Sequence, residues 1–248
     1  MTISPAQGIM GNDIISLRDL KLIGIHGHAG VGKDTVADYL GRYECVYKEC
    51  FADPLKRACA AAFGLPIEWF YEQDLKEQET FWGVTPRKIA QFVGTEMFRN
   101  LVHELTGADT AKDFLPSHWI RLLASRLTGL SAPPQGQGFY EPGDTVIIPD
   151  VRFQDEANWI WENGGVIIHL IRDGCEGNVG IQGHASEAGI DFTRMPSKKW
   201  LIYNNSTLGD LYETVEEMVR FYTKQGYLNL KLNPEYEPTT GKYKESDF

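Results

Sequence analysis

The chain has 248 residues, 42% of them hydrophobic and 23% charged, enough for one large domain or two small ones around a sizeable core. A formal net charge of −10 argues against extended nucleic-acid binding but leaves room for a local basic pocket. No apolar run approaches the roughly 18 residues a bilayer crossing needs, and no basic stretch with an apolar core opens the chain, so neither a membrane span nor a signal peptide is expected and the protein reads as cytoplasmic.

Residues 1–19 lack sustained periodicity and read as a loosely held leader. KLIGIH (21–26) is a short apolar run that ends at a glycine loop, as expected of a buried strand. GHAGVGKDT (27–35) follows. Its glycines let successive N–H groups point inward, the next helix adds its positive N-terminal end, and Lys33 supplies a point charge. This is almost the phosphate loop G-x-x-x-x-G-K-[ST], with Asp34 where a magnesium-binding hydroxyl is expected. The bland alternative is a chance glycine turn between strand and helix.

DTVADYLGRY (34–43) carries apolar Val36, Ala37 and Leu40 at helical spacing, and CVYKECF (45–51) reads as a second strand. DPLKRACAAAFG (53–64) predicts a helix capped by Asp53, with Pro54 in its first turn and Gly64 at its stop. TPRKIAQFVGTEMFRNLVHEL (85–105) predicts another, with Thr85 as cap and Pro86 at the first helical position. SHWIRLLASRLTG (117–129) is amphipathic, and the Pro- and Gly-rich SAPPQGQGFYEPGD (131–144) is a surface insertion.

DTVIIPD (144–150) is a strand ending in an aspartate, like a Walker B strand; on its own that signal is weak, because many strands end so. FQDEANWIWENGG (153–165) is a helix and VIIHLIR (166–172) a strand. The polar, glycine-bearing segment 173–198 is of the kind that carries function. KWLIYN (199–204) reads as a last strand, TLGDLYETVEEMVRFYTK (207–224) as a closing helix, and the tail from about 228 as an extended or disordered arm. Alternation of strands and helices implies a parallel sheet covered on both faces, with ligands at the C-terminal strand edge.

Arg87, Arg99, Arg152 and Arg172 lie in apolar or mixed contexts, and their planar forks suit phosphate oxygens. For Arg99 a solvated helix charge is an equal reading. Arg152 and Arg172 directly follow strand ends and are expected to point into the cleft. The histidines His26, His28, His169 and His184 form no catalytic set. The cysteines Cys45, Cys50, Cys59 and Cys175 fit reduced, mostly core thiols rather than metal ligands or a disulfide. From the residues alone, the chain is a P-loop phosphotransferase acting on a small acceptor.

GHAGVGKDT, FADPLKRACAAAFG, TPRKIAQFVGTEMFR, IIPDVRFQDE, GHASEAGI and YNNSTLGDL together resemble, in order over roughly residues 20–220, the deoxynucleoside monophosphate kinases of tailed bacteriophages. The resemblance implies an α/β P-loop kinase fold: a five-stranded parallel sheet with helices on both faces in a domain over 20–227. Within it come a helical monophosphate-binding region (65–130) and a lid (173–198 around His184–Glu187), with a C-terminal arm at 228–248. It implies that Gly30, Gly32, Lys33, Asp34, Thr35 and Arg172 hold ATP. It implies that Phe51, Lys56, Arg87, Gln91, Gly94, Thr95, Trp119, Asp150, Arg152 and Glu156 surround a deoxynucleoside monophosphate. Lys33, Arg87 and Arg152 would act in catalysis, and Asp34 and Asp150 would meet Mg2+ through water. Members of that family carry Gly-Lys-Asp-Thr here, which makes Thr35 the phosphate-binding hydroxyl. The expected partners are ATP and the monophosphate, with no nucleic acid and no membrane, in the host cytoplasm if the chain is phage-encoded; a homodimer is left open. The alternatives are another small-molecule P-loop kinase, of the dephospho-coenzyme A type, or a nucleotide-binding protein without turnover.

Overall fold

A computed structural model describes residues 14–101, 118–131, 138–175, 189–194 and 198–234, with the side chains of 99–101 outside that description. Five strands form one all-parallel sheet in the order β2-β3-β1-β4-β5: β1 Lys21–His26, β2 Val46–Lys48, β3 Thr145–Ile148, β4 Val166–Ile171 and β5 Lys199–Tyr203. The register sets Gly24 opposite Ile148 on one side and Ile167 on the other. β1, β3 and β4 are near-continuous Val/Ile/Leu runs because both sheet faces are covered, as parallel sheets require.

Alternate side chains of these strands feed two separate cores. Leu22, Val146, Ile148 and Ile167 pack against the helices α2 Asp53–Phe63, α4 His118–Leu127 and α5 Gln154–Glu162. Ile23, Ile25, Ile147, Ile168 and Leu170 face the helices α1 Lys33–Leu40 and α6 Leu208–Lys224. Each fully buried Ile or Leu contributes about 1.5–3 kcal/mol relative to exposure. Gly24 makes the first packing possible, since a Cβ there would lie 2.8 Å from Ile160 Cδ1.

The five-stranded parallel sheet expected from the sequence is therefore present, with several local departures. β2 is only three residues long, because the chain leaves the sheet to meet Asp150. Asp53 is not the cap of α2: Ala52 holds that position without a side-chain bond, and Asp53, one residue inside, accepts from the Tyr71 hydroxyl at 3.1 Å. Thr85 does cap its helix, accepting from Lys88 N. That helix, α3 Pro86–Gln91, then widens into a π-helix over Phe92–Leu101.

Residues 14–19 are not loose, since Ser16 caps a short turn and Ile15 N donates to Thr128 O. Residues 228–233 also pack, with Leu228 buried and Leu232 bridging Tyr43. The lid core 176–188, the stretch 102–117 and the chain ends lie outside the described residues. Among the described residues, no helix is long and apolar enough to cross a membrane. All four thiols are free, and Cys45 is exposed rather than in the core.

Candidate functional site

The loop after β1 wraps through left-handed backbone at Gly27, Gly30 and Gly32. A side chain is excluded twice over at Gly27, where a Cβ would meet Leu170 O at 2.5 Å, and at Gly32, where it would meet Asn204 Nδ2 at 2.8 Å. Asn204, at the end of β5, donates to Val31 O at 2.9 Å and so ties the loop to the sheet. Lys33 opens α1 and folds back to donate to the carbonyls of Gly27 (2.8 Å) and His28 (2.6 Å). Asp34 stands at the same helix start, where the helix dipole favours a carboxylate. Its side chain is 80% exposed and pairs with Lys48 at 3.2 Å, a partner the sequence reading did not supply. Thr35 is half-buried beside it.

A second feature opens at the same strand edge, an open cleft enclosing ≈ 940 Å3 of space, solvent mouth included. All ten residues expected around the monophosphate line it: Phe51, Lys56, Arg87, Gln91, Gly94, Thr95, Trp119, Asp150, Arg152 and Glu156. The elements that bring them together are the β2–α2 connection, α2, α3, the π-helix, α4, the turn after β3 and the start of α5. Sequence reasoning missed Ala52, Leu55, Phe70, Lys76, Pro86, Ala90 and Phe153 on the same wall.

The cleft has a cationic part and an apolar one. Lys56, Lys76, Arg87 and Arg152 supply positive charge. Arg87 is largely buried and is oriented by Glu77, which engages its Nε and leaves the donors of the terminal nitrogens for another ligand. Phe51, Leu55, Phe70 and Trp119 supply the apolar wall. Trp119 is 7% exposed, and its Nε1 donates to Gly94 O at 3.0 Å, which fixes the indole plane. Gln91 brings an amide whose oxygen and nitrogen are both buried and have no partner among the described residues.

Two carboxylates have structural duties at the cleft. Asp150 accepts from Phe51 N at 3.0 Å and Ala52 N at 2.9 Å, so it holds the β2–α2 connection in place. Burial raises its pKa, while the two backbone donors oppose the rise. Glu156 is 3% exposed and accepts from Arg152 N and Phe153 N, closing the start of α5.

Arg172 does not line this cleft; the resemblance assigned it to ATP rather than to the monophosphate. It is exposed after β4, on the segment whose Cys175 approaches Gly30 of the phosphate loop. The side chain of Arg99 and the lid residues His184–Glu187 lie outside the described residues. His169 stacks on Phe192 beside the sheet edge, and His26 lies tilted against both rings with its Nδ1 2.9 Å from Val151 O.

Among the described residues, no group of three His, Cys, Asp or Glu side chains is arranged to hold a metal ion. The oxygens at hand suit a magnesium ion that arrives on a polyphosphate, because such an ion keeps several waters and takes one or two protein oxygens. Thr35 would supply one, and Asp34, paired with Lys48, would meet the ion through water. Asp150, with both oxygens engaged by backbone donors, would reach the ion through water alone.

A family model described as "Deoxynucleotide monophosphate kinase" matches residues 70–215, a span that begins after the glycine loop 27–32 and takes in most of the cleft wall. A protein of Acanthamoeba polyphaga mimivirus named "Putative deoxynucleotide monophosphate kinase" is 32% identical over 200 residues, covering 78% of this chain and 93% of that protein.

Proposed function

We infer the reaction from one premise: this chain belongs to the deoxynucleotide monophosphate kinase family. We propose that it transfers the γ-phosphoryl group of ATP to a deoxynucleoside monophosphate, yielding ADP and the deoxynucleoside diphosphate, and that it serves viral DNA precursor supply in the host cytoplasm. The observation that carries the reading is the cleft itself. Four cations and an aromatic wall share one cavity on β3, and the phosphate loop hangs on β1, the adjacent strand.

The chemistry asks for positioning and charge neutralisation rather than a strong base. A monophosphate oxygen is already anionic at neutral pH and attacks the γ-phosphorus as the bond to the β-phosphate oxygen breaks, leaving ADP. Lys33, held by its two loop carbonyls, would exchange them for β- and γ-phosphate oxygens. Arg87 and Arg152 would grip the acceptor phosphate, and Trp119 would wall the base. Magnesium, when bound with ATP, would neutralise charge on the transferring group. It would also offset the carboxylate of Asp34, a task Lys48 shares in the unliganded chain.

The decisive measurement is ADP release coupled to a spectroscopic assay, run across deoxynucleoside monophosphates, nucleoside monophosphates and dephospho-coenzyme A. Turnover with at least one deoxynucleoside monophosphate is expected. Turnover confined to dephospho-coenzyme A, or none with any acceptor, would overturn the reading.

A further inference from the structure

Of the four cationic side chains in the cleft, Lys76 has no counterpart among the residues the family resemblance implies. In the sequence it sits in LKEQE, which reads as a solvated stretch. In the structure it occupies the middle of the short turn Leu75–Glu77 and is half-buried. Its backbone N donates to Glu72 O at 3.0 Å, and the next residue, Glu77, pairs with Arg87 on α3. These two ties hold the Lys76 side chain on the cleft wall together with Arg87, Lys56 and Arg152. No carboxylate among the described residues pairs with its ammonium.

The charges that act on Lys76 come from both halves of the site. Arg87 from α3, Lys56 from α2 and Arg152 from the turn after β3 repel it, and Asp34 from the phosphate-loop helix attracts it. The remaining carboxylates nearby are engaged elsewhere: Glu77 with Arg87, Asp53 with Lys56 and Tyr71, Asp150 and Glu156 with backbone N–H groups. A half-buried ammonium among three like charges, with no protein anion of its own, is a place for an anionic ligand.

We propose that Lys76 is a phosphate-binding residue of the acceptor site, donating to an oxygen of the monophosphate on the side that faces the phosphate loop. The assignment rests on the kinase reading above. Its consequence is a proton linkage. Burial, then the neighbouring cations, lower the Lys76 pKa to about 8. A bound phosphate dianion reverses the dominant charge it sees and returns the pKa toward its ordinary value near 10.4. The protonated form is the binding form. The acceptor KM should therefore be flat below pH 8 and climb above it, by up to about tenfold per pH unit. The acceptor's own phosphate ionises near pH 6, below that window.

The test compares wild type, Lys76→Met and Lys76→Arg by steady-state kinetics between pH 7 and 10, using a deoxynucleoside monophosphate that the wild type accepts. Lys76→Met should raise the monophosphate KM about 10- to 100-fold, the loss expected for one charge-assisted hydrogen bond. The KM for ATP should stay unchanged, which also reports that the variant is folded. Lys76→Arg should recover much of the affinity at pH 7 and abolish the climb above pH 8, since a guanidinium stays charged there. Wild-type KM in Lys76→Met, or a climb that persists in Lys76→Arg, would overturn the assignment while leaving the kinase reading intact. No wild-type turnover with any monophosphate would instead remove the kinase reading, and this assignment with it.

Discussion

Adding one methyl group at Gly94 sets two opposing effects against each other. Gly94 lies in the π-helix, and a Cβ there would stand 2.5 Å from Leu55 Cδ2, far inside contact distance. Its backbone is not left-handed, so Gly94→Ala meets no φ penalty. Alanine in a helix interior is favoured over glycine by about 1 kcal/mol. Overpacking a buried contact costs about 1–3 kcal/mol. The net change in stability should then lie between about zero and 2 kcal/mol of destabilisation, read by urea unfolding. The kinetic effect should be larger and one-sided. Leu55 is 8% exposed and lines the cleft, so the open direction for its side chain is into the space the acceptor would occupy. The KM for the monophosphate should rise several-fold while that for ATP holds. A variant stabilised by about 1 kcal/mol with unchanged acceptor KM would show that helix propensity alone operates and that the Leu55 contact is not limiting.

Three further outcomes are expected. Lys33→Met should lower kcat/KM by several orders of magnitude, about 4 kcal/mol or more; near-normal turnover in the folded variant would remove the phosphate loop from the mechanism. Asp150→Asn replaces one accepting oxygen with a donor facing Phe51 N or Ala52 N. The stranded N–H should cost about 1–3 kcal/mol and the shifted β2–α2 connection should weaken acceptor binding; unchanged melting and KM would refute that duty. Burial, with smaller contributions from His26, Lys199 and His28, holds the His169 imidazole down to about 4. Its folded pKa lies below the unfolded value near 6.5, so stability is present above pH 6.5 and is lost as pH falls toward 4. Because His169 is only half-buried, the slope should stay below the full 1.36 kcal/mol per pH unit. His169→Leu should flatten part of the decline, and identical pH profiles for the two proteins would refute the linkage.

The parts of this molecule that were legible in the sequence share a local cause. Buried parallel strands need unbroken apolar runs, so KLIGIH and VIIHLIR announce themselves, and a phosphate loop needs glycines at fixed spacing. Of the cleft wall, Arg87, Arg152 and Asp150 carried a signal of their own, but Phe51, Thr95 and Glu156 were reachable only through the family resemblance, because they meet through tertiary packing and carry no periodic signal. The missed features have physical reasons too. A π-helix keeps the same apolar composition as an α-helix, so Phe92–Leu101 looks like a plain continuation of α3. Lys76 and Asn204 owe their positions to a turn and a strand end, and Lys48 meets Asp34 only because β2 stops short beside α1. Asp150 read as a metal-facing residue, and its backbone partners came from a connection far earlier in the chain.

The two half-sites hang on adjacent strands of one sheet, β1 bearing the phosphate loop and β3 bearing Asp150 and Arg152. Neighbouring strands sit about 4.8 Å apart, and a sheet covered on both faces has little freedom to splay. On the proposed reaction, the spacing between the ATP loop on β1 and the acceptor cleft on β3 would thus be a fixed length written into the hydrogen-bond ladder. A single molecule that carries an adenosine and a deoxynucleoside at opposite ends of a polyphosphate chain of that length would tether itself: once one end docks, the other arrives at high effective concentration. Its affinity should exceed that of either fragment by orders of magnitude, and a chain one phosphate too short should forfeit the gain. The ladder acts as a molecular ruler, and inhibitor length is the quantity it measures.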